Sequence, residues 1–228
     1  MKSQEQAEKY ILKLDRSFVP RWTVFKQRLS SILTSDLVWV DCGCGENYLI
    51  NEYSPLAKKA IGVDVIKPQV KDDLFIKADI KSLPFEDNSV DLITLKFVIE
   101  HIDDIDNDFR DIVRVLKKDG KLLLITTNLC NPFIALARII PYKIKNKIIT
   151  SVFKVKDEDV FPTYHHFNSP GRFKKSIKGL ALKEMEFISD INFTNNFVFI
   201  LFLGWHFITK LFGLKFLRTN IIGVFVKE

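Results

Sequence analysis

Apolar residues near the start of the chain recur at helical spacing. Tyr10, Ile11, Leu14, Phe18, Trp22, Phe25, Leu29 and Leu33 follow one another at short helical intervals over 3–33. Such a stripe marks amphipathic helix. Pro20 inside it lacks the N–H that a helix interior needs, so two helices are expected. From residue 37 the pattern changes to short apolar runs at Leu37–Asp41, Lys59–Asp64, Asp73–Asp79, Val90–Leu95 and Lys121–Thr127. They show little polar alternation, as strands covered on both faces of a parallel sheet do. Between the last two runs, Asp106–Lys117 reads as a helix with Phe109, Ile112, Val113 and Leu116 on one face. Asp106 is its expected N-cap, and Lys117, Lys118 and Gly120 are its expected end. Alternating strands and helices predict a doubly wound sheet.

The alternation breaks after residue 128. No acid lies between Asp119 and Asp157, while Arg138, Lys143, Lys145, Lys147, Lys154 and Lys156 fall among aliphatic residues. A polar and aromatic loop follows, containing Tyr164-His165-His166-Phe167-Asn168. Ser169–Lys178 reads as a helix, with Ser169 as cap and Pro170 at its first position. Leu180–Ile188 and Asn220–Val226 read as two closing strands, separated by the nearly unbroken apolar run Phe197–Ile208. The 228 residues fit one domain. Its expected parts are N-terminal helices (1–34), a ligand-binding core (35–128), a basic insertion or lid (129–178), and closing strands with an apolar helix (179–228).

Composition narrows the setting. A net charge of +6 biases the surface mildly towards anionic partners. Cys42 and Cys44 are too close in sequence to pair with normal geometry, and no cysteine spacing matches a zinc site. Three unpaired cysteines and a polar, acid-bearing N-terminus predict a cytoplasmic protein without a signal peptide. No apolar run reaches the roughly 20 residues of a spanning helix.

The candidate chemistry centres on Asp41-Cys42-Gly43-Cys44-Gly45-Glu46-Asn47, directly after the first strand. Glycines there allow a sharp turn and close approach of backbone to a ligand. A nicotinamide fingerprint needs a small residue three positions after the second glycine, and Tyr48 stands there. Asp41 also fits poorly beside a pyrophosphate, because like charges repel, whereas it suits a ligand with a positive amino group.

With these residues the sequence resembles the class I S-adenosylmethionine-dependent methyltransferases, in particular the group acting on small molecules. Asp41-Cys42-Gly43-Cys44-Gly45-Glu46-Asn47 matches their first motif, with Asn47 in place of its third glycine. Asn is among the residues most tolerant of the left-handed backbone that a glycine would adopt. Asp64 matches the acid closing strand two, and Asp79-Ile80 the acid and apolar pair near adenine. Leu83 to Ile93, Glu100-His101-Ile102 and Lys118 to Ile125 match later family segments, so the likeness covers roughly 35–128. The resemblance implies a Rossmann-like α/β sheet of seven strands, the last antiparallel, with N-terminal helices and a helical insertion after strand five. It implies S-adenosylmethionine as cofactor, bound through Asp41, Cys42, Gly43, Gly45, Asn47, Asp64, Val65, Asp79, Ile80 and Lys96. Asp64 would take both ribose hydroxyls, since a carboxylate can accept two hydrogen bonds. The bland readings stand beside these: Asp64 and Asp79 as turn acids, Cys42 and Cys44 as small buried packers, Lys96 as a solvated lysine.

The implied reaction is methyl transfer to an acceptor held in line with the sulfonium methyl, where positioning supplies much of the rate. A hydroxyl acceptor must also lose a proton, and His101, His165 and His166 are the candidate bases. His101 could equally make a structural hydrogen bond that shapes its loop, and the Tyr164–Asn168 segment could line the acceptor pocket or be an ordinary loop with one histidine packed inward. Asp103, Asp104, Asp106 and Asp108 suit the first turn of a helix better than a metal, so no metal is expected. The basic stretch and the apolar run together read as a surface resting on anionic membrane, with a lipid or lipid-linked glycan intermediate as acceptor. Burial of the run on the sheet, or in a homodimer, are the competing expectations. Aliphatic rather than aromatic interleaving of the basic residues argues against nucleic acid. The alternative function is a non-catalytic scaffold that keeps the fold, and Asn47 is the feature that favours it.

Overall fold

The structure is a computed structural model and describes residues 4–69, 71–139, 163–175, 177–191 and 196–228. Of the basic stretch expected over 138–156, only residues 138 and 139 fall within these; the rest lies outside the described residues.

The N-terminal stripe forms two helices, α1 (Gln4–Leu14) and α2 (Arg21–Ile32), divided at Pro20. The strands are β1 (Val38–Cys42), β2 (Lys59–Asp64), β3 (Phe75–Lys77), β4 (Val90–Lys96), β5 (Leu116–Thr127), β6 (Leu180–Ile188) and β7 (Asn220–Lys227). They form one seven-stranded sheet in the order β3-β2-β1-β4-β5-β7-β6. The pairs from β3 through β5 are parallel, and β7 runs antiparallel between β5 and β6. The doubly wound architecture expected from the sequence is therefore present. The chain order reverses at β1, so the carboxyl ends of β1, β2 and β4 border a crevice of the kind where ligands bind in such sheets.

Two apolar layers cover the sheet. On one face Val40, Val63, Ile93, Leu95 and Leu124 pack with Phe109, Ile112 and Phe173 from helices. On the other face Trp39, Leu92 and Leu123 pack with Phe25 and Leu29 of α2 and with Ile50 of α3 (Tyr48–Tyr53). This double burial is why the strands read as continuous apolar runs.

Three boundaries differ from expectation. The helix expected over Asp106–Lys117 is two short helices, α4 (Ile105–Asp108) and α5 (Arg110–Val115). Its cap is Asp104, whose side chain accepts the Asn107 N–H, and not Asp106. The lysines expected at its end belong to β5, because the backbone turns extended at Leu116 (φ −63°, ψ 137°). The helix expected over Ser169–Lys178 shortens to α7 (Pro170–Lys174).

The apolar run lies in α8 (Asn196–Leu211). Its buried Phe199 joins Ala7, Ile11, Phe18 and Ile191 in a separate cluster with α1. Phe133 of α6 (Pro132–Ile139) packs beside it, 5.2 Å from Phe202 and 5.4 Å from Trp205 between ring centres. Phe197, Ile200, Leu201, Ile208 and Leu211 remain exposed.

Candidate active site

A cavity of about 570 Å³ opens at the carboxyl ends of β1, β2 and β4. Ligand pockets commonly have this size. One side is made by Gly43, Asp64, Val65, Asp79 and Ile80, the other by Lys96, Phe97, Val98, His101 and Tyr164.

The glycine turn builds the floor. Gly43 and Gly45 adopt φ +72° and +56°, which favours glycine. Asn47 follows at φ +59°, so the turn keeps the left-handed shape that the missing glycine would give. Its side chain is buried and turned towards β2 and β3, where Nδ2 donates to Asp72 (2.8 Å) and to the Leu74 carbonyl (3.4 Å). A Cβ on Gly62 of β2 would stand only 1.8 Å from Asn47 Oδ1. Room for the asparagine therefore depends on a glycine in the neighbouring strand.

Asp41 differs from its expected role. It is fully buried and does not line the cavity. Its carboxylate accepts the Thr94 hydroxyl (2.6 Å) and an N–H of Lys96, and Trp39 donates in turn to Thr94 (3.0 Å). The positive amino group expected from a ligand is supplied by the chain's own lysine. Lys96 does line the cavity, so the acid acts there through its partner.

Asp64 faces the cavity and ties the turn together. One carboxylate oxygen accepts the Gly45 N–H (2.9 Å), the other the Ile66 N–H (3.0 Å). Each oxygen has a second lone pair for a ligand hydroxyl. Asp79 is held by the Lys81 N–H (3.0 Å). Cys42 and Cys44 are buried off the cavity. Burial, reinforced by the Asp41 charge, raises both thiols, Cys44 to about 12. They are packing groups, as the bland reading held.

The three histidines separate. His101 lines the cavity. His165 is buried off it at φ +54°. His166 stacks on Tyr164 and meets Asp103 at 3.1 Å on the neighbouring surface. The loop carrying them is anchored by the Tyr164 and His165 N–H groups, which donate to the Glu100 carbonyl at 2.8 and 3.1 Å.

Two rim features escaped the sequence reading. Phe97 has φ +55°, a strained conformation for an aromatic residue, and its ring meets Trp22 edge-on at 5.7 Å. The Arg21 guanidinium lies over the same ring at 4.9 Å. Glu100 is buried beneath, accepting the Thr126 hydroxyl at 2.8 Å. Burial pushes its carboxyl up to about 7. Only the Glu100-His101 pairing was visible in the sequence, and it drew attention to the histidine alone.

Residues 40–124 match the family model described as a methyltransferase domain. Over these residues the chain is similar to that family. It is 33% identical over 98 residues to the methyltransferase YcgJ of Bacillus subtilis, a match covering 38% of this chain and 39% of that protein. It is 39% identical over 51 residues to the ubiquinone/menaquinone biosynthesis C-methyltransferase UbiE of Idiomarina loihiensis, covering 22% and 20%. The matched stretch thus spans well under half of either relative. The fold resembles geranyl diphosphate C-methyltransferase from Streptomyces coelicolor, solved with Mg2+, geranyl diphosphate and S-adenosyl-L-homocysteine. That likeness has a TM-score of 0.61 at 14% identity and covers 100% of this chain and 84% of the other. S-adenosyl-L-homocysteine, bound in that structure, is the demethylated form of S-adenosylmethionine. The donor set fits it, with carboxylates suited to a ribose diol and an adenine amine, and an ammonium group suited to a carboxylate.

Proposed function

We propose that the chain transfers a methyl group from S-adenosylmethionine to a hydroxyl of an amphipathic small molecule, lipid or lipid-linked glycan intermediate. The observation that carries this reading is the cavity itself, which brings Asp64 and Asp79 together with Lys96, His101 and Tyr164 on one lining. In this reading Asp64 takes the ribose hydroxyls and Asp79 with the Ile80 N–H takes adenine. Lys96, its charge balanced by Asp41, has two further N–H donors for the methionine carboxylate. The cofactor supplies an electrophilic methyl group. The chain's residues orient it, exclude water, and remove the acceptor proton, which falls to His101 because it borders the cavity. His165 and His166 then serve the loop. His101→Ala should cut turnover by about 10²-fold or more while leaving S-adenosylhomocysteine affinity unchanged. A fully active variant would refute the base. A screen of lipid and metabolite extracts with labelled cofactor would identify the acceptor, and label appearing on carbon would refute O-transfer.

The amphipathic acceptor is favoured by α8. Its exposed Phe197, Ile200, Leu201, Ile208 and Leu211 lie on the side opposite Phe199 and His206, and Leu136 and Ile139 of α6 are exposed nearby in the fold. Among the described residues no helix is long and apolar enough to cross a membrane. We take this face, with Arg138 and Lys215 available for lipid phosphates, to rest on an anionic membrane surface. Cosedimentation with anionic vesicles at low salt should be lost in Phe197→Glu/Ile200→Glu. Absence of wild-type binding, or a stable homodimer burying that face, would refute the membrane reading.

A further inference from the structure

A second cavity, of about 190 Å³, lies between the α1–α2 turn, the end of β6 and the last turns of α8. It shares no lining residue with the cofactor cavity. Its polar side chains come from Asp15, Ser17, Glu186, Ser189, His206, Lys210 and Arg218.

The acids around it are already matched. Asp15 accepts the Ser17 N–H (2.9 Å), the Ser17 hydroxyl (2.7 Å) and Lys210 (2.6 Å), and meets His206 Nε2 at 2.9 Å. Burial pushes its carboxyl up, but these partners outweigh burial and hold it below the usual range. Glu186, the other acid on the lining, pairs with Arg28. The cations are not all matched. Among the described residues no carboxylate pairs with Arg218, whose Nη1 donates to the Phe187 carbonyl at 3.2 Å.

Two nitrogens sharpen the point. Arg218 Nε and His206 Nδ1 are buried and have no hydrogen-bond partner. The His206 side chain is only 6% exposed. Leaving such groups unpaired costs about 1–3 kcal/mol each. Nε2 of His206 is committed to Asp15, which leaves Nδ1 as the ring nitrogen without a partner on a residue that lines the cavity. A space of this size holds roughly six waters, or one small oxyanion with a few waters.

We propose that this cavity binds a small oxyanion of the phosphate class. Arg218 Nε–H, the remaining N–H of Lys210 and a protonated Nδ1 of His206 are its donors. Charge-assisted bonds of this kind are the strong ones. The occupant links the α1–α2 turn to α8.

Calorimetry on the full chain tests it, with inorganic phosphate and glycerol phosphate titrated against sodium chloride of matched ionic strength. Saturable binding of phosphate at one site is expected, weakened at least about tenfold in Arg218→Gln. Binding of S-adenosylhomocysteine should be unchanged in that variant. Nitrogen NMR on the wild type should show the Nδ1 resonance of His206 moving saturably as phosphate binds, a readout that needs no variant to fold. Tighter binding of glycerol phosphate than of phosphate would also support the site and assign it to an ester. No saturable binding of either, or equal binding by a folded Arg218→Gln chain, would overturn the proposal.

Discussion

Replacing Gly62 by Ala tests the coupling between the cofactor turn and its neighbouring strand. The added Cβ would stand 1.8 Å from Asn47 Oδ1 and 2.8 Å from Cys44 Sγ. Neither neighbour can stay in place. Overpacking of a tight site costs about 1–3 kcal/mol. Displacing Asn47 also breaks its bond to the Asp72 carboxylate, which at 2.8 Å belongs to the class worth about 1.5–3 kcal/mol. Gly62→Ala should therefore cost about 3 kcal/mol or more, lowering Tm by about 6–12 °C for a chain of this size. Asn47→Gly removes the same bond, but it also removes Oδ1, which is buried without a partner, and suits φ +59° better. That single change should lie within about 1 kcal/mol of wild type. In the Asn47→Gly background the alanine at 62 meets only the thiol, and its cost should fall to about 1 kcal/mol. Urea denaturation of the four proteins closes the cycle, with an expected coupling of about 2 kcal/mol. Equal cost of Gly62→Ala in both backgrounds would refute the account of how this turn tolerates an asparagine.

Glu100 should make stability fall with rising pH. Its folded value of about 7 lies above the ordinary 4.5, so the native state holds the proton while the unfolded chain releases it. The loss begins near pH 4.5, is complete above about 7, and amounts to about 3 kcal/mol at 1.36 kcal/mol per pH unit. Glu100→Gln should flatten that slope and stabilise the protein at pH 8; an unchanged slope in urea titrations across pH 5–8 would refute it. Lys96→Met should leave the fully buried Asp41 unpaired, costing about 3–5 kcal/mol, and Lys96→Met/Asp41→Asn should recover most of it. Calorimetric melting of both variants checks this, and equal instability of the two would remove the pair from its structural role.

The sheet was legible because β1, β2, β4 and much of β5 are covered on both faces, which leaves apolar runs, and because α2, α4, α6 and α7 start at or just after Pro or Asp. The turn was legible through Gly43 and Gly45, whose positive φ favours glycine, and through the acids at 64 and 79, which lie at or just past the ends of β2 and β3. The partners of Asp41 were not. Thr94 and Lys96 lie more than fifty residues away and reach it through the register of β1 with β4, which side-chain pattern alone does not reveal. Nor could Gly62 be linked to Asn47, since the fit arises from a side chain crossing from a loop to the next strand. Lys117 and Lys118 misled because basic residues suit a helix end, whereas here the chain already runs extended. The histidines of the 163–168 loop shared a type and a neighbourhood, but the carbonyl of Glu100 fixes that loop so that only Tyr164 reaches the cavity.

The central claim is that the cavity at the ends of β1, β2 and β4 holds S-adenosylmethionine through Asp64 and Asp79. Calorimetric titration of the wild type, Asp64→Ala and Asp79→Ala with S-adenosylhomocysteine tests it most directly. One site per chain is expected in the wild type, with affinity reduced at least about tenfold in each variant. No binding by the wild type, or undiminished binding by a folded Asp64→Ala chain, would contradict it.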